Sequence, residues 1–165
     1  LDVRNNGGGN LTTAEKLAER FTNEKKLIGY MSYKTGPGHN EFSTPEAVYL
    51  EPPMDRVRWQ KHTVVLTNRR SYSATNDFVN RMKQLDRVTV IGDKTGGGSG
   101  LPFSSELPNG WSVRFSASPM YDPDMKHLEF GIEPDKKVDI TSEDYNKGID
   151  TIIEAAREYL HNHKQ

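Results

Sequence analysis

The sequence predicts an α/β fold, and three observations carry that prediction. Two short apolar runs, Thr63-Val64-Val65-Leu66 and Val88-Thr89-Val90-Ile91, have the length and β-branched content of buried strands. Between them Ala74, Phe78, Met82 and Leu85 recur at the spacing of one helical face. Further on, residues 103–107 and 111–117 flank Pro108-Asn109-Gly110, a strong hairpin signal, and a helical segment closes the chain. Strand–helix alternation followed by a hairpin and a closing helix is an α/β pattern.

The remaining elements follow in chain order. Leu1-Asp2-Val3-Arg4 reads as the end of a strand. In Asn5-Asn6-Gly7-Gly8-Gly9-Asn10 three glycines relax the limits on φ. This run reads either as a flexible loop or as a place where a peptide backbone approaches closely and amides face an anion. Leu11, Ala14, Leu17, Ala18 and Phe21 predict a helix, with Thr12 and Glu15 at capping-box spacing. Residues 26–33 alternate as a strand does, and 35–40 form a loop. Residues 42–53 are expected to be irregular or an edge, because Pro45, Pro52 and Pro53 cannot donate to a ladder. A loop over 119–124 and a turn over 131–135 precede a strand-like run at 138–140. The last helix is expected to open at Thr141 or Ser142, with Tyr145, Ile149, Ile152, Ile153, Ala156 and Leu160 on one apolar face.

Composition narrows the function classes. The 165 residues suffice for one domain with a real core, or for part of a larger one. Twenty-two Lys plus Arg against 23 Asp plus Glu leave no global field to recruit nucleic acid or an anionic membrane. Mean hydropathy is −0.80, and no apolar run approaches the roughly 20 residues of a membrane span. With no cysteine there is no disulfide, thiol nucleophile or thiolate metal site. His161 and His163 are two apart, a spacing that does not share a helix face, so no metal is expected. The loop Gly92-Asp93-Lys94-Thr95-Gly96-Gly97-Gly98-Ser99-Gly100 lacks the Gly-Lys-Ser/Thr ending of a phosphate loop and runs into Pro102, so no nucleotide or other cofactor is expected. Arg56, Arg58, Lys61 and His62 beside Trp59 read as an anion-holding cluster or, more commonly, as a solvated approach to a strand.

The residue with the most chemistry is Ser73, a small hydroxyl residue at a strand-to-helix junction. There a serine can present its oxygen beyond the sheet while unpaired amides at the helix start bind an oxyanion. It can equally be an ordinary helix cap, the far commoner role for serine at that position.

Four stretches in fixed order bear on the choice: LDVRNNGGG, VVLTNRRSYSATNDF, VTVIGDKTGGGSG, and LPNGWSVRFSASPMYDPD followed by EFGIEPD. This set resembles the serine peptidases of the C-terminal processing (tail-specific) family, relatives of the tricorn core protease. The resemblance covers nearly the whole chain. It implies a ClpP/crotonase-like sheet-and-helix domain with a β-hairpin insertion and a C-terminal helix. Residues 1–165 would then be the C-terminal part of a serine peptidase catalytic domain. It also implies peptide-bond hydrolysis, with Ser73 as nucleophile and the amides of Ala74 and of Gly8 or Gly9 as oxyanion donors. The processing branch takes a lysine base at the position matched here by Gly98, with Lys94 the nearest lysine. The tricorn-like branch uses a histidine encoded upstream of the nucleophile strand, assisted by a glutamate whose nearest match is Glu129. Among the histidines present, His39, in a glycine-rich loop, is the one candidate base. The implied partners are a peptide or protein substrate and the upstream part of the same catalytic domain, in a bacterial protein exported to the periplasm or envelope. A non-catalytic binding module of the same fold, and acyl-CoA chemistry of the crotonase kind, are the alternatives.

Overall fold

The computed structural model describes residues 1–54 and 57–163, so Arg56 of the basic cluster lies outside the described residues. The chain enters alongside a sheet, with Asp2 bridged in parallel to Leu66. Helix α1 (Leu11–Ala18) continues into a 3₁₀ turn at Glu19–Phe21. Strands β1 (Lys26–Met31) and β2 (Glu46–Leu50) pair antiparallel. Then come β3 (Thr63–Thr67), α2 (Ala74–Lys83) and β4 (Val88–Gly92), a parallel β-α-β unit. The hairpin β5 (Phe103–Glu106) and β6 (Ser112–Phe115) follows, then β7 (Met120–Tyr121) and β8 (Lys136–Lys137). Helices α3 (Ser142–Asn146) and α4 (Thr151–Asn162) complete the order.

The parallel sheet β3-β4-β8 separates two apolar clusters, because alternate side chains of a strand leave by opposite faces. On one face Val65 and Val90 join Phe78, Val79 and Met82 of α2, Ala18 of α1, and Ile28, Met31, Leu50 and Met120 of the second sheet, β2-β1-β7. On the other, Val64, Leu66 and Ile91 meet Ile152 and Ala156 of α4. Burial on both faces explains why the 63–67 run is continuous rather than alternating. β2 is an edge strand, as its proline-rich surroundings suggest.

Four local expectations are corrected. The cap of α1 is Asn10, not Thr12; its side chain accepts from the Thr13 amide, and Glu15 instead reaches Arg81 at 3.5 Å. The 119–124 loop contains β7, which pairs with β1 and is too short to show a period in sequence. Pairing with β4 falls at Lys136–Lys137 rather than at 138–140. The closing helix is two helices. Gly148 takes φ 70°, and Asp150 starts α4 by accepting from the Ile152 and Ile153 amides. Tyr145 and Ile149 therefore leave the apolar face and stand 75% and 41% exposed.

In the hairpin, Phe103 opposes Phe115 and Ser104 opposes Arg114. Alternation puts Phe103, Val113 and Phe115 on one face and Ser104, Glu106, Ser112 and Arg114 on the other.

Asp150 also ties the two ends of the described chain together, accepting from Arg4 Nη1 at 2.8 and 3.0 Å. Burial raises its pKa, but the Ile153 amide and Arg4 outweigh burial and hold it below the ordinary range. A depressed folded-state pKa means stabilisation that is present above about pH 4 and lost as pH falls through the folded value. Asp150→Asn, which keeps a capping oxygen, is expected to cost about 1 kcal/mol at pH 7 and to flatten the acid limb of stability. Urea unfolding from pH 7 to pH 2 measures both.

Candidate active site

Three loops leave the carboxyl ends of adjacent parallel segments, the crevice where open α/β sheets place ligands. They are residues 4–10, 68–73 and 93–100. Hydrogen bonds continue past the strand ends and zip them together. The Tyr72 amide donates to Asn6 O at 3.0 Å, the Gly96 amide to Ser71 O at 2.9 Å, and the Ser73 amide to Gly97 O at 2.8 Å. Asn6 adds its side chain, accepting at Oδ1 from Thr75 Oγ1 at 2.7 Å and from the Gly8 amide at 3.0 Å.

Ser73 sits where these loops converge, at the N-cap position of α2, but its side chain does not cap the helix. A cap residue has extended dihedrals and accepts from an amide one turn on. Ser73 has φ 57° and ψ −125° and makes no capping hydrogen bond. A positive φ is uncommon for a residue with a side chain and costs on the order of 1–3 kcal/mol. Strain of this kind lifts a serine hydroxyl out of the strand–helix turn.

Beside Ser73 lies a cavity of about 260 Å³, lined by Gly9, Leu11, Ala74, Asp77, Gly98–Gly100, Leu101, Pro102, Arg114 and Met120. Among the described residues the Ala74 and Gly9 amides have no acceptor, whereas the Gly8 amide is taken by Asn6. Gly8 is the point of closest approach. A Cβ there would lie 2.7 Å from Tyr72 O, 2.8 Å from Ser73 Cβ and 2.9 Å from the Ala74 nitrogen. Of the five residues singled out as site candidates, Ser73, Ala74 and Gly9 meet at the cavity and Gly8 packs directly behind Ser73. Glu129 stands beside the third loop, its carbonyl accepting from the Gly98 amide at 3.1 Å. Its Oε2 is buried without a partner among the described residues.

No histidine or lysine lines this cavity. Gly98 does, but the Tyr72 ring occupies its side-chain direction, with Cζ 2.1 Å from where a Cβ would stand. Lys94 is turned away and paired with Glu133 at 3.0 Å. His39 lies outside the cavity, in the loop whose carbonyls hold Lys34. His62 stands at the far end of β3, near His163. His127 accepts from the Glu129 amide.

Two features were not read from sequence. Asn76 is fully buried, and its Nδ2 donates to Ser99 Oγ at 2.8 Å and Leu128 O at 3.0 Å, while its Oδ1 accepts from Thr95 Oγ1. Thr95 Oγ1 in turn accepts from the Ile132 amide at 2.7 Å. Asp77 and Arg81, one turn apart on α2, form a buried ion pair at 2.6 Å. The available signal was the run of polar residues, Thr75-Asn76-Asp77 and Asn80-Arg81, between the apolar positions of the helix. That helix is buried almost all round.

This arrangement defines an α/β domain of the ClpP/crotonase type, with a hairpin insertion and a C-terminal helix. The chain belongs to peptidase family S41, which it matches over residues 1–138. It is 27% identical over 140 residues to the "Probable CtpA-like serine protease" of Staphylococcus saprophyticus, a match covering 84% of this chain and 27% of that protein. Among solved structures, a candidate peptidase from Parabacteroides merdae is 62% identical with a TM-score of 0.92, over 96% of this chain and 50% of that one. Mature CPAF, 17% identical, shares the fold with a TM-score of 0.82 over 99% of this chain and 44% of its own. The 165 residues thus span about a quarter of the Staphylococcus relative's length and half of the Parabacteroides chain.

Two substitutions test how the site is held. Asn76→Ala removes three buried hydrogen bonds and leaves their partners unpaired, and is expected to lower stability by about 3 kcal/mol in urea unfolding. Gly8→Ala puts a methyl group against the Tyr72–Ala74 backbone at a φ of 101°. It is expected to lower the melting temperature and slow any acylation of Ser73, measured by calorimetry and by active-site labelling.

Proposed function

We propose that this chain carries the nucleophile and oxyanion hole of a serine endopeptidase whose general base, a histidine, comes from an upstream part of the same catalytic domain. The observation that carries this reading is the strained Ser73 beside two amides with no acceptor. Ser73 Oγ adds to the scissile carbonyl as its proton passes to the histidine. The oxyanion receives the Ala74 and Gly9 amides; Gly9 is favoured over Gly8 because the Gly8 amide is already engaged. The tetrahedral intermediate collapses to an acyl-enzyme, and the histidine returns the proton to the departing amine. Water then hydrolyses the ester. One preorganised donor of this kind is worth roughly 3–4 kcal/mol in the transition state.

Glu129 fits the role of orienting that histidine, because its Oε2 is buried and unpartnered. A buried carboxylate oxygen without a donor is costly, and an imidazole N–H would relieve the cost. An extended peptide can be held by adding to a free edge of the two-stranded β5–β6 ribbon. We assign the protein to the bacterial envelope or periplasm on family grounds. Among the described residues no helix is long and apolar enough to cross a membrane.

One observation favours a second reading, a peptide-binding module without turnover: no base lines the cavity. A fluorophosphonate probe on the intact protein separates the two. Wild type is expected to label at Ser73, confirmed by peptide mapping, and Ser73→Ala to remain unlabelled. Peptide binding with no labelling of wild type would establish the binding module instead.

A further inference from the structure

The cavity beside Ser73 has an uneven charge distribution. Arg114 reaches it from the polar face of the hairpin, is exposed, and enters no ion pair or side-chain hydrogen bond among the described residues. Glu106 shares that face two residues along the paired strand, but it neither pairs with Arg114 nor lines the cavity. The one acidic residue that lines the cavity, Asp77, is ion-paired through Oδ2 with Arg81 Nε at 2.6 Å, while its Oδ1 is buried without a hydrogen-bond partner among the described residues. Burial pushes the Asp77 carboxyl up, against the opposing pull of Arg81. Glu129, the other acid nearby, lies behind Gly100 and does not line the cavity.

The backbone contributes the same sign. The ten-residue α2 begins at Ala74 with its positive dipole end at the cavity, and the Ala74 and Gly9 amides have no acceptor among the described residues. Arg114, the start of α2 and two residues whose amides have no acceptor therefore line one space, in which the one carboxylate, Asp77, is ion-paired with Arg81.

We propose that Arg114 makes this cleft selective for a substrate carboxylate close to the scissile bond, supplied by an acidic side chain or by the substrate's own C-terminus. The inference rests on the reading of Ser73 as nucleophile and adds the substrate class. An arginine suits the task because its planar fork pairs with both oxygens of a carboxylate. Its place on the hairpin, opposite α2, leaves the amides free for the oxyanion while the guanidinium takes the second negative charge.

The test uses matched fluorogenic peptides on the intact protein. One series exchanges Glu for Gln at each of three positions on either side of the scissile bond. A second compares a free C-terminal carboxylate with its carboxamide at increasing distance from that bond. In wild type the acid is expected to exceed its amide by about tenfold in kcat/KM at one position, expressed mainly in KM, and the ratio is expected to shrink as salt rises. The series that shows the ratio identifies the source of the carboxylate. Arg114→Gln should bring the ratio to about one, and Arg114→Lys should retain part of it. A ratio near one in wild type, a ratio unaffected by Arg114→Gln, or a preference for lysine-bearing peptides would overturn the inference while fluorophosphonate labelling of wild-type Ser73 still stood. Absence of that labelling would instead remove the serine reading and this inference together.

Discussion

Asn76 joins three segments that are far apart in sequence, and the geometry around Ser73 depends on that junction. Its amide nitrogen holds the glycine loop through Ser99 and the 128–132 segment through Leu128. Its oxygen takes Thr95, which receives the Ile132 amide. Every hydrogen-bonding group of this buried side chain is engaged, so the network specifies one arrangement of the loops. Asn6 does the same on the opposite side of α2, linking the first glycine loop to Tyr72 and Thr75. The start of α2 is thereby clamped from both sides.

That clamping is what allows a non-glycine residue to stay at φ 57°. A strained dihedral persists only where its surroundings over-determine it. Here the Ser73 amide is held by Gly97 and its carbonyl by the Asp77 amide, each side of the strained bond. The close packing that results demands glycine at 8 and 98, where a Cβ would meet the Tyr72–Ala74 backbone or the Tyr72 ring. The same packing leaves the amides of Ala74 and Gly9, residues that line the cavity, without an acceptor among the described residues. Strain, glycine placement and free amides are consequences of one set of contacts.

Much of the fold was legible. Buried strands at β3 and β4, the apolar face of α2, the hairpin and the helical C-terminus follow from periodicity and turn chemistry, because those signals are local. What was misread is instructive. The 119–124 segment contains a two-residue strand that exists only because β1 offers it an edge. The C-terminal apolar periodicity runs across Gly148, which breaks the helix and turns Tyr145 and Ile149 to solvent. The polar positions of α2 carry no periodic signal, yet Asn76 is buried against partners encoded elsewhere in the chain and Asp77 and Arg81 are buried as an ion pair. Likewise Gly98 in sequence is only a glycine in a glycine-rich loop; that Tyr72 fills its side-chain space is a fact of packing.

At Ser73 the division is sharpest. The residue type, its position between a buried strand and a helix, and its order among the glycine loops were determined by the sequence, since each is a matter of local pattern. Whether it caps the helix or stands free of it was decided only by tertiary structure. The same serine chemistry serves both roles. The dihedral that separates them is held by Gly97, whose carbonyl takes the Ser73 amide, while Asn6 and Asn76 fix the neighbouring Tyr72, Thr75 and glycine loop.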